Sequence, residues 1–284
     1  MSVDPNNVLV SVITVCYNAA RLLPMTIESI LAQDYDNYEY IIQDGNSSDD
    51  TRRIIEEYAP RFEEKGILLR FVSESDGGIY DAMNKAVSIS SGTWISFMNA
   101  GDCFYSSSVL SYIFSKKTYP SSAIIYGDCA EYEYGRFYLF PKNPDNIRSA
   151  MPFSHQSMFA RRELLSRYPF RTEYRYSADY DFILNAHDME LHFADVGCVV
   201  CITTKDGLSS VNYHEMLKES ARIKESHGIT PPTEAEAKKT ERMLTIKQYV
   251  LDHFPVFIKK AIRTVQIKLR HQDFKCEVPP WYFI

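Results

Sequence analysis

The sequence predicts an α/β fold, a doubly wound and mostly parallel sheet followed by a C-terminal helical extension. Three observations carry that expectation. Strand-like and helix-like patterns alternate through residues 8–98, the first strand is too continuously apolar for a half-exposed position, and each strand there ends in a polar, mostly acidic turn. Residues 8–17 are a β-branched apolar run, the pattern of a parallel strand buried on both faces. A helix follows, with Leu23, Ile27, Ile30 and Leu31 on one stripe at helical spacing. Residues 38–43 read as the second strand and 51–58 as a helix entered through polar capping residues. Residues 67–72 give a third strand, 79–87 a helix and 94–98 a fourth strand. That β-α-β-α-β-α-β order is what predicts the sheet.

The second half departs from the repeat. Strands are expected near 123–126 and 137–140, a turn at 141–144, and helices near 162–167 and 179–187, read as the other side of the same domain. After about Ser210 the chain becomes helical and charged, with Pro231-Pro232 between two helical stretches. We therefore divide the 284 residues into an α/β domain over 1–210 and a helical extension over 211–284.

In doubly wound sheets, ligands sit beyond the carboxyl ends of the strands. The residues placed there are Tyr17-Asn18, Asp44-Gly-Asn-Ser-Ser-Asp49, Ser73-Glu-Ser-Asp-Gly-Gly78 and Asn99-Ala-Gly-Asp102. A carboxylate at a strand end such as Asp44 can accept the imide N–H of a uracil ring, or it can bond the amides of its own turn. Asp102 can be a hard oxygen ligand for Mg²⁺ or Mn²⁺ on a diphosphate, or the N-cap of a helix starting near Ser107. Both pairs of readings stand on the residues alone.

The same segments, with Asp44-Gly-Asn-Ser-Ser-Asp-Asp-Thr51, Glu74-Ser-Asp-Gly-Gly-Ile-Tyr-Asp-Ala-Met-Asn84 and Trp94-Ile-Ser-Phe-Met-Asn-Ala-Gly-Asp102, resemble family-2 glycosyltransferases in order and spacing. His155-Gln156 and Ser177-Ala-Asp-Tyr-Asp-Phe182 extend the resemblance, which covers roughly residues 8–210. It implies a GT-A fold and inverting transfer of a hexosyl or N-acetylhexosaminyl group from a nucleotide sugar, most simply a UDP-sugar, to a saccharide or lipid-linked acceptor. It further implies that Tyr17 and Asp44 hold the nucleobase, that Asp76 and Asn84 shape the nucleotide pocket, and that Asp102 binds Mn²⁺ or Mg²⁺. Asp179 becomes the general base, with His155 and Gln156 on the acceptor side and His155 beside the acceptor or the metal. The implied product is a bacterial surface polysaccharide or lipid-linked oligosaccharide.

Two departures bear on these roles. The metal motif keeps one acid, Asp102, and Ala178 stands where a Glu often precedes the base, so Asp181 is the alternative to Asp179. His155 also reads as a satisfied core histidine and Asp179 as a helix N-cap. A sugar nucleotidyltransferase needs a glycine-rich basic loop after the first strand, and a dinucleotide-binding domain needs GxGxxG there; Cys16-Tyr-Asn-Ala-Ala20 is neither. An inactive nucleotide-sugar-binding protein in a polysaccharide assembly stays open, because a fold does not prove turnover.

Composition narrows the partners. Hydrophobic residues at 45% and charged residues at 24% are globular values, and the 20 Tyr and 16 Phe can pack a core and line a sugar-binding cleft. A net charge of −6 leaves no basic footprint for nucleic acid. Residues 253–271 nevertheless contain no acid, while Lys259, Lys260, Arg263, Lys268 and Arg270 are basic. Phe257, Ala261, Ile262, Val265 and Leu269 can line one helical face there, either touching an anionic membrane through 255–270 or packing on the domain. No apolar run approaches the ~20 residues of a bilayer span. Six scattered cysteines and the polar start MSVDPNN point to a reduced cytoplasmic compartment, peripheral to the inner face of the membrane where the tail binds it. Cys198 and Cys201 lack a second CxxC and read as buried strand cysteines rather than zinc ligands.

Overall fold

A computed structural model describes residues 8–133, 136–140, 142–203, 213–230, 242–243, 246, 249, 253–269 and 279–282. Strands β1 (Val10–Cys16), β2 (Tyr38–Asp44), β3 (Leu68–Ser73) and β4 (Trp94–Phe97) pair in parallel in the order β3-β2-β1-β4. Every residue of β1, β2 and β4 is buried, the physical reason their sequences are apolar runs instead of alternating ones. Along β1, Val10 and Val12 enter one apolar cluster and Ile13 and Val15 the other, so one strand serves the cores on both faces of the sheet. The register sets Cys16 against Asp44 and Asp44 against Ser73, which brings the carboxyl ends of three strands to one rim.

Helices α1 (Leu23–Leu31), α2 (Thr51–Lys65) and α3 (Ile79–Ser88) connect these strands. Helix α2 runs past the expected end at residue 58, through Pro60, to a left-handed C-cap at Gly66. Burial of Phe62 against Tyr40, with ring centroids 5.2 Å apart, rewards the extra turns in spite of the proline.

The amino ends of the strands hold a carboxylate of a different kind. Glu39, fully buried in β2, accepts hydrogen bonds from Ser11 Oγ (2.6 Å), Ser91 N (2.6 Å), Ser91 Oγ (2.8 Å) and Arg70 Nε (3.1 Å). Burial raises its pKa, and these donors outweigh burial and hold the carboxyl below the ordinary range. Gly92 must be glycine here, since a Cβ would lie 2.4 Å from Ser11 N.

The second half continues the sheet as β4-β8-β6-β9-β5. Its elements are β5 (Cys103–Phe104), α4 (Val109–Phe114), β6 (Ser122–Glu133), β7 (Arg136–Phe140), β8 (Met158–Arg161), α5 (Arg162–Arg167), α6 (Ala178–Asp188) and β9 (His192–Thr203). Strand β6 pairs with β7 and β8 antiparallel and with β9 in parallel, through register shifts around Ser122, Tyr126 and Asp128. Those irregularities interrupt the period-2 pattern, which is why only 123–126 of β6 was expected and, of β9, only the stretch around Cys198 and Cys201 read as strand; the short β5 and β8 were not expected. Cys198 and Cys201 lie in β9, Cys201 buried and Cys198 half-buried, both as free thiols.

In the C-terminal region, α7 (Tyr213–Ser226) inserts Ile223 into the apolar cluster formed with α6. Trp281 and Tyr282 pack on Cys103, Phe137 and Ile202, and the Trp281 indole N–H donates to Phe104 O (3.1 Å). Helix α8 (Val256–Leu269) carries the basic stretch. The expected boundary at 210 and the break at Pro231-Pro232 lie outside the described residues.

Candidate active site

The rim of β1, β2 and β3 is built by loops that tie to one another. Asn18, at φ 49°, donates its N–H to Ser47 Oγ (2.7 Å) and accepts from Ser48 N (2.9 Å), fastening the loop after β1 to the loop after β2. Asp49 and Thr51 repeat the tie through Ala20 N (3.1 Å) and Ala19 N (2.9 Å). Asp44 is fully buried, and its carboxylate accepts from Ser47 N (3.0 Å), Ser47 Oγ and Ser73 Oγ (2.6 Å). Of its two sequence readings, the structure displays the turn-bonding one. Tyr17 projects beside this loop and is 66% exposed.

A cleft of about 510 Å³ opens here, lined among others by Tyr17, Asp76, Gly78, Tyr80, Tyr174 and Arg175. Gly78 starts α3 with φ 121°, a conformation that favours glycine, and its N–H donates to Asp76 Oδ1 (2.9 Å). Asn84 is placed differently from the other residues named for the nucleotide. Its amide donates to Phe170 O (2.8 Å) and accepts from Phe170 N (3.0 Å), so it shapes the cleft by clamping the segment that carries Thr172, Tyr174 and Arg175.

The second group of predicted residues meets at the end of β4. The Thr26 hydroxyl of α1 donates to Asp102 O (2.7 Å) and accepts from Gly101 N (3.0 Å), fixing the loop 99–102. Gln156 Nε2 donates to Asp102 Oδ2 (3.1 Å), and Ser154 Oγ holds the Gln156 amide oxygen at 2.5 Å, which orients that amide. His155, on a 3₁₀ turn over His155–Ser157, points Nδ1 at Asp179 Oδ2 (2.9 Å), while its Nε2 lies 3.4 Å from Asn99 Nδ2. Among the described residues, Asn99 Oδ1 is buried without a hydrogen-bond partner. Asp179 Oδ1 accepts from Tyr80 OH (2.9 Å) and Tyr180 N (2.9 Å). Tyr80 thus connects this centre to the cleft that it also lines.

Two alternatives give way to this geometry. Asp102 is not the cap of the following helix, whose N-cap is Ser108, and Asp179 is not a cap either, since Ser177 precedes α6. Instead Asp179 lies in the first turn, where the positive helix end favours an anion. Burial raises the Asp179 pKa, but His155, Tyr80 and Tyr180 N–H outweigh it and hold the carboxyl below the ordinary range. Burial likewise depresses His155, but the Asp179 hydrogen bond and charge, with Asp102 nearby, raise it overall. Among the described residues no group of three His, Cys, Asp or Glu side chains is arranged to hold a metal ion.

Asp181 points elsewhere. It is buried against Arg171 (Nε to Oδ2, 2.9 Å), His227 (3.1 Å) and Asn185 (3.1 Å), a network joining α6 to the residues just after α7. Sequence reasoning missed Tyr80 and Arg175. Tyr80 sits inside a motif already singled out, but its partner lies 99 positions away. Arg175 was visible only as the cation four positions before Asp179.

Comparison with known proteins places these residues in context. The model of Glycosyl transferase family 2 matches residues 11–180. A PGL/p-HBAD biosynthesis glycosyltransferase of Mycobacterium bovis is 32% identical over 179 residues, covering 61% of this chain and 67% of that protein. The crystal structure of S. aureus TarS 1-349 in complex with UDP-GlcNAc aligns with a TM-score of 0.58 at 18% identity, over 76% of this chain and 66% of that one. In another TarS crystal structure the chain spans 39% of the TarS chain. A mannosyltransferase from Pyrobaculum calidifontis in complex with GDP-Man and Mn²⁺ aligns with a TM-score of 0.58 at 21% identity, over 75% of this chain and 61% of that one. These structural matches share the GT-A fold with this chain.

Proposed function

The chain belongs to glycosyl transferase family 2 and is a glycosyltransferase, and from that premise we propose that it moves a hexosyl or N-acetylhexosaminyl group from a UDP-sugar to a saccharide or lipid-linked hydroxyl with inversion. The observation that carries this reading is the meeting of Asp179, His155, Gln156 and Asp102 beside the cleft at the carboxyl ends of the parallel strands. In the transfer, the hydroxyl oxygen attacks the anomeric carbon from the face opposite UDP as its proton passes to Asp179. The carbon–oxygen bond to the diphosphate breaks, and UDP leaves with the electron pair. Tyr80, His155 and the Tyr180 N–H keep the Asp179 carboxylate ionised and aimed.

Mn²⁺ or Mg²⁺ fits as an ion that arrives with the diphosphate. The hard Asp102 carboxylate would hold it, with Asn99 Oδ1, which has no hydrogen-bond partner among the described residues, and His155 as neighbours. Bound there, the ion supplies positive charge against the charge developing on the leaving group. A thermal-shift panel of UDP- and GDP-sugars, with and without Mn²⁺, tests the reading. A UDP-sugar at a hundred times its Kd adds about 2.7 kcal/mol of stability, whereas no shift with any nucleotide sugar contradicts a donor site. Asp102→Ala should erase the Mn²⁺ increment; an equal increment in both proteins contradicts the metal assignment.

We also infer peripheral contact with an anionic membrane. Phe257, Ala261, Ile262 and Val265 are exposed on α8 beside exposed Lys260, and 71% of Phe257 faces solvent. No helix among the described residues is long and apolar enough to cross a membrane. Binding at the surface would present a lipid-linked hydroxyl to the cleft. Full-length protein should co-sediment with anionic liposomes at low salt more than a chain ending at residue 245; equal sedimentation of the two contradicts the contact.

A further inference from the structure

The cleft that would hold the donor is lined by carboxylates, Asp76 and Asp81, yet a nucleoside diphosphate is an anion. Asp81 is neutralised locally, by Lys85 at 3.3 Å and by the Gly77 N–H at 2.9 Å, and the Lys85 ammonium is further engaged by Glu74 (3.4 Å) and Ser75 O (2.9 Å). Among the described residues that line the cleft, Arg175 carries the only positive charge. Its guanidinium makes no ion pair with any described carboxylate; the Tyr176 ring lies under it, 5.9 Å to the centroid.

The backbone that presents Arg175 is held from outside the strand rim. Glu219 of α7, 5% exposed, accepts the Arg175 N–H at 2.8 Å and the Tyr176 N–H at 2.7 Å. Ser177 Oγ adds contacts to Met216 O (3.4 Å) and Ser220 Oγ (3.3 Å) on the same helix. A buried carboxylate is costly unless its oxygens are satisfied, and here both oxygens serve one dipeptide. Spending a buried charge on two backbone amides fixes where the next side chain begins.

We propose that Arg175 binds the diphosphate of the donor and that Glu219 is the positioning residue that holds it at the cleft. The proposal rests on the donor reading above and extends it in two ways. It assigns the phosphate contact to a side chain four residues before Asp179, on the acceptor side of the sheet, so that donor charge and catalytic base are set by one segment. It also makes α7 part of the site. Arg suits the task because its planar fork can engage two phosphate oxygens at once.

Calorimetric titration of uridine, UMP and UDP into the full chain, each with and without Mn²⁺, tests this. The wild type should bind UDP more tightly than uridine. Arg175→Gln should lower that UDP-to-uridine affinity ratio by about 10- to 100-fold, the scale of a charge-assisted contact, and leave uridine affinity unchanged. Arg175→Lys should keep part of the ratio, having the charge without the fork. Glu219→Gln should reduce the ratio by a smaller factor, again with uridine binding intact, which shows the variant is folded and separates positioning from general destabilisation. An unchanged ratio in Arg175→Gln overturns the phosphate assignment while leaving the donor reading standing. Equal loss of uridine and UDP in Glu219→Gln overturns its positioning role. A wild type that binds none of the three ligands contradicts the donor reading itself, and the Arg175 assignment with it.

Discussion

On the side of the cleft proposed for the donor, Asp44, Asp49 and Asp76 place their carboxylates within or between neighbouring loops, on Ser47, Ser73, Ala20 and Gly78. On the other side, Asp179 reaches Tyr80 across 99 positions, and Gln156 reaches Asp102 across 54. The first arrangement shapes a pocket by ties within and between adjacent loops; the second assembles the proposed reactive centre only when the whole sheet has closed. Damage on the donor side should therefore appear mainly as lost affinity, and damage at the cross-fold centre mainly as lost turnover.

The largest test of that contrast pairs two carboxylates on one helix. Asp179→Asn keeps the shape and removes the basicity, so transfer should fall by about 10²- to 10⁴-fold with UDP-sugar affinity close to normal. Asp181→Asn should do the reverse: its network of Arg171, His227 and Asn185 is structural, so denaturant unfolding should show a loss of up to about 3 kcal/mol with turnover per folded molecule retained. Transfer abolished by Asp181→Asn and intact in Asp179→Asn would reverse the assignment.

Asp44→Ala comes next. Removing the carboxylate leaves Ser47 N–H and the hydroxyls of Ser47 and Ser73 without their acceptor, and UDP binding should weaken by roughly 1–3 kcal/mol while kcat changes little. Unchanged UDP affinity by calorimetry removes Asp44 from the nucleotide pocket. The smallest effect concerns pH. The folded pKa of Asp179 is lowered and that of His155 raised, so their stabilisation is complete above the ordinary carboxylate pKa of about 3.9 and below the ordinary histidine pKa of about 6.5. It falls away as pH rises through the raised His155 value and as pH drops through the lowered Asp179 value. The melting-temperature gap between wild type and His155→Gln should be widest inside that window and shrink on the alkaline side; a gap independent of pH contradicts the ion pair.

These two sides also differ in what the sequence discloses. Parallel strands buried on both faces announce themselves as apolar runs, so β1 to β4 and the acidic turns after them were legible. The end of α2 was not, because burial of Phe62 overrides the local cost of Pro60. The full lengths of β6 and β9 were not legible, only 123–126 of the first and the stretch around Cys198 and Cys201 of the second, because their pairing shifts register. At the site, Asp179, His155, Gln156 and Asp102 were named from motif resemblance, and the structure brings them together. Asn84 was named with them, but its amide is used on Phe170, a partner 86 positions away that no local spacing reveals. Tyr80 was missed for the same reason. Arg175 gave no signal until Glu219 was seen to hold its backbone.

The central claim is a single in-line displacement driven by Asp179, and the anomer first released from the donor tests it most directly. Proton NMR can follow slow hydrolysis of an α-linked UDP-sugar by the purified chain with Mn²⁺, water standing in for the unknown acceptor, before the free sugar mutarotates. The β-anomer should appear first, at a rate that Asp179→Asn reduces by about 10²-fold or more. First appearance of the α-anomer, or an unchanged rate in Asp179→Asn, would contradict the account.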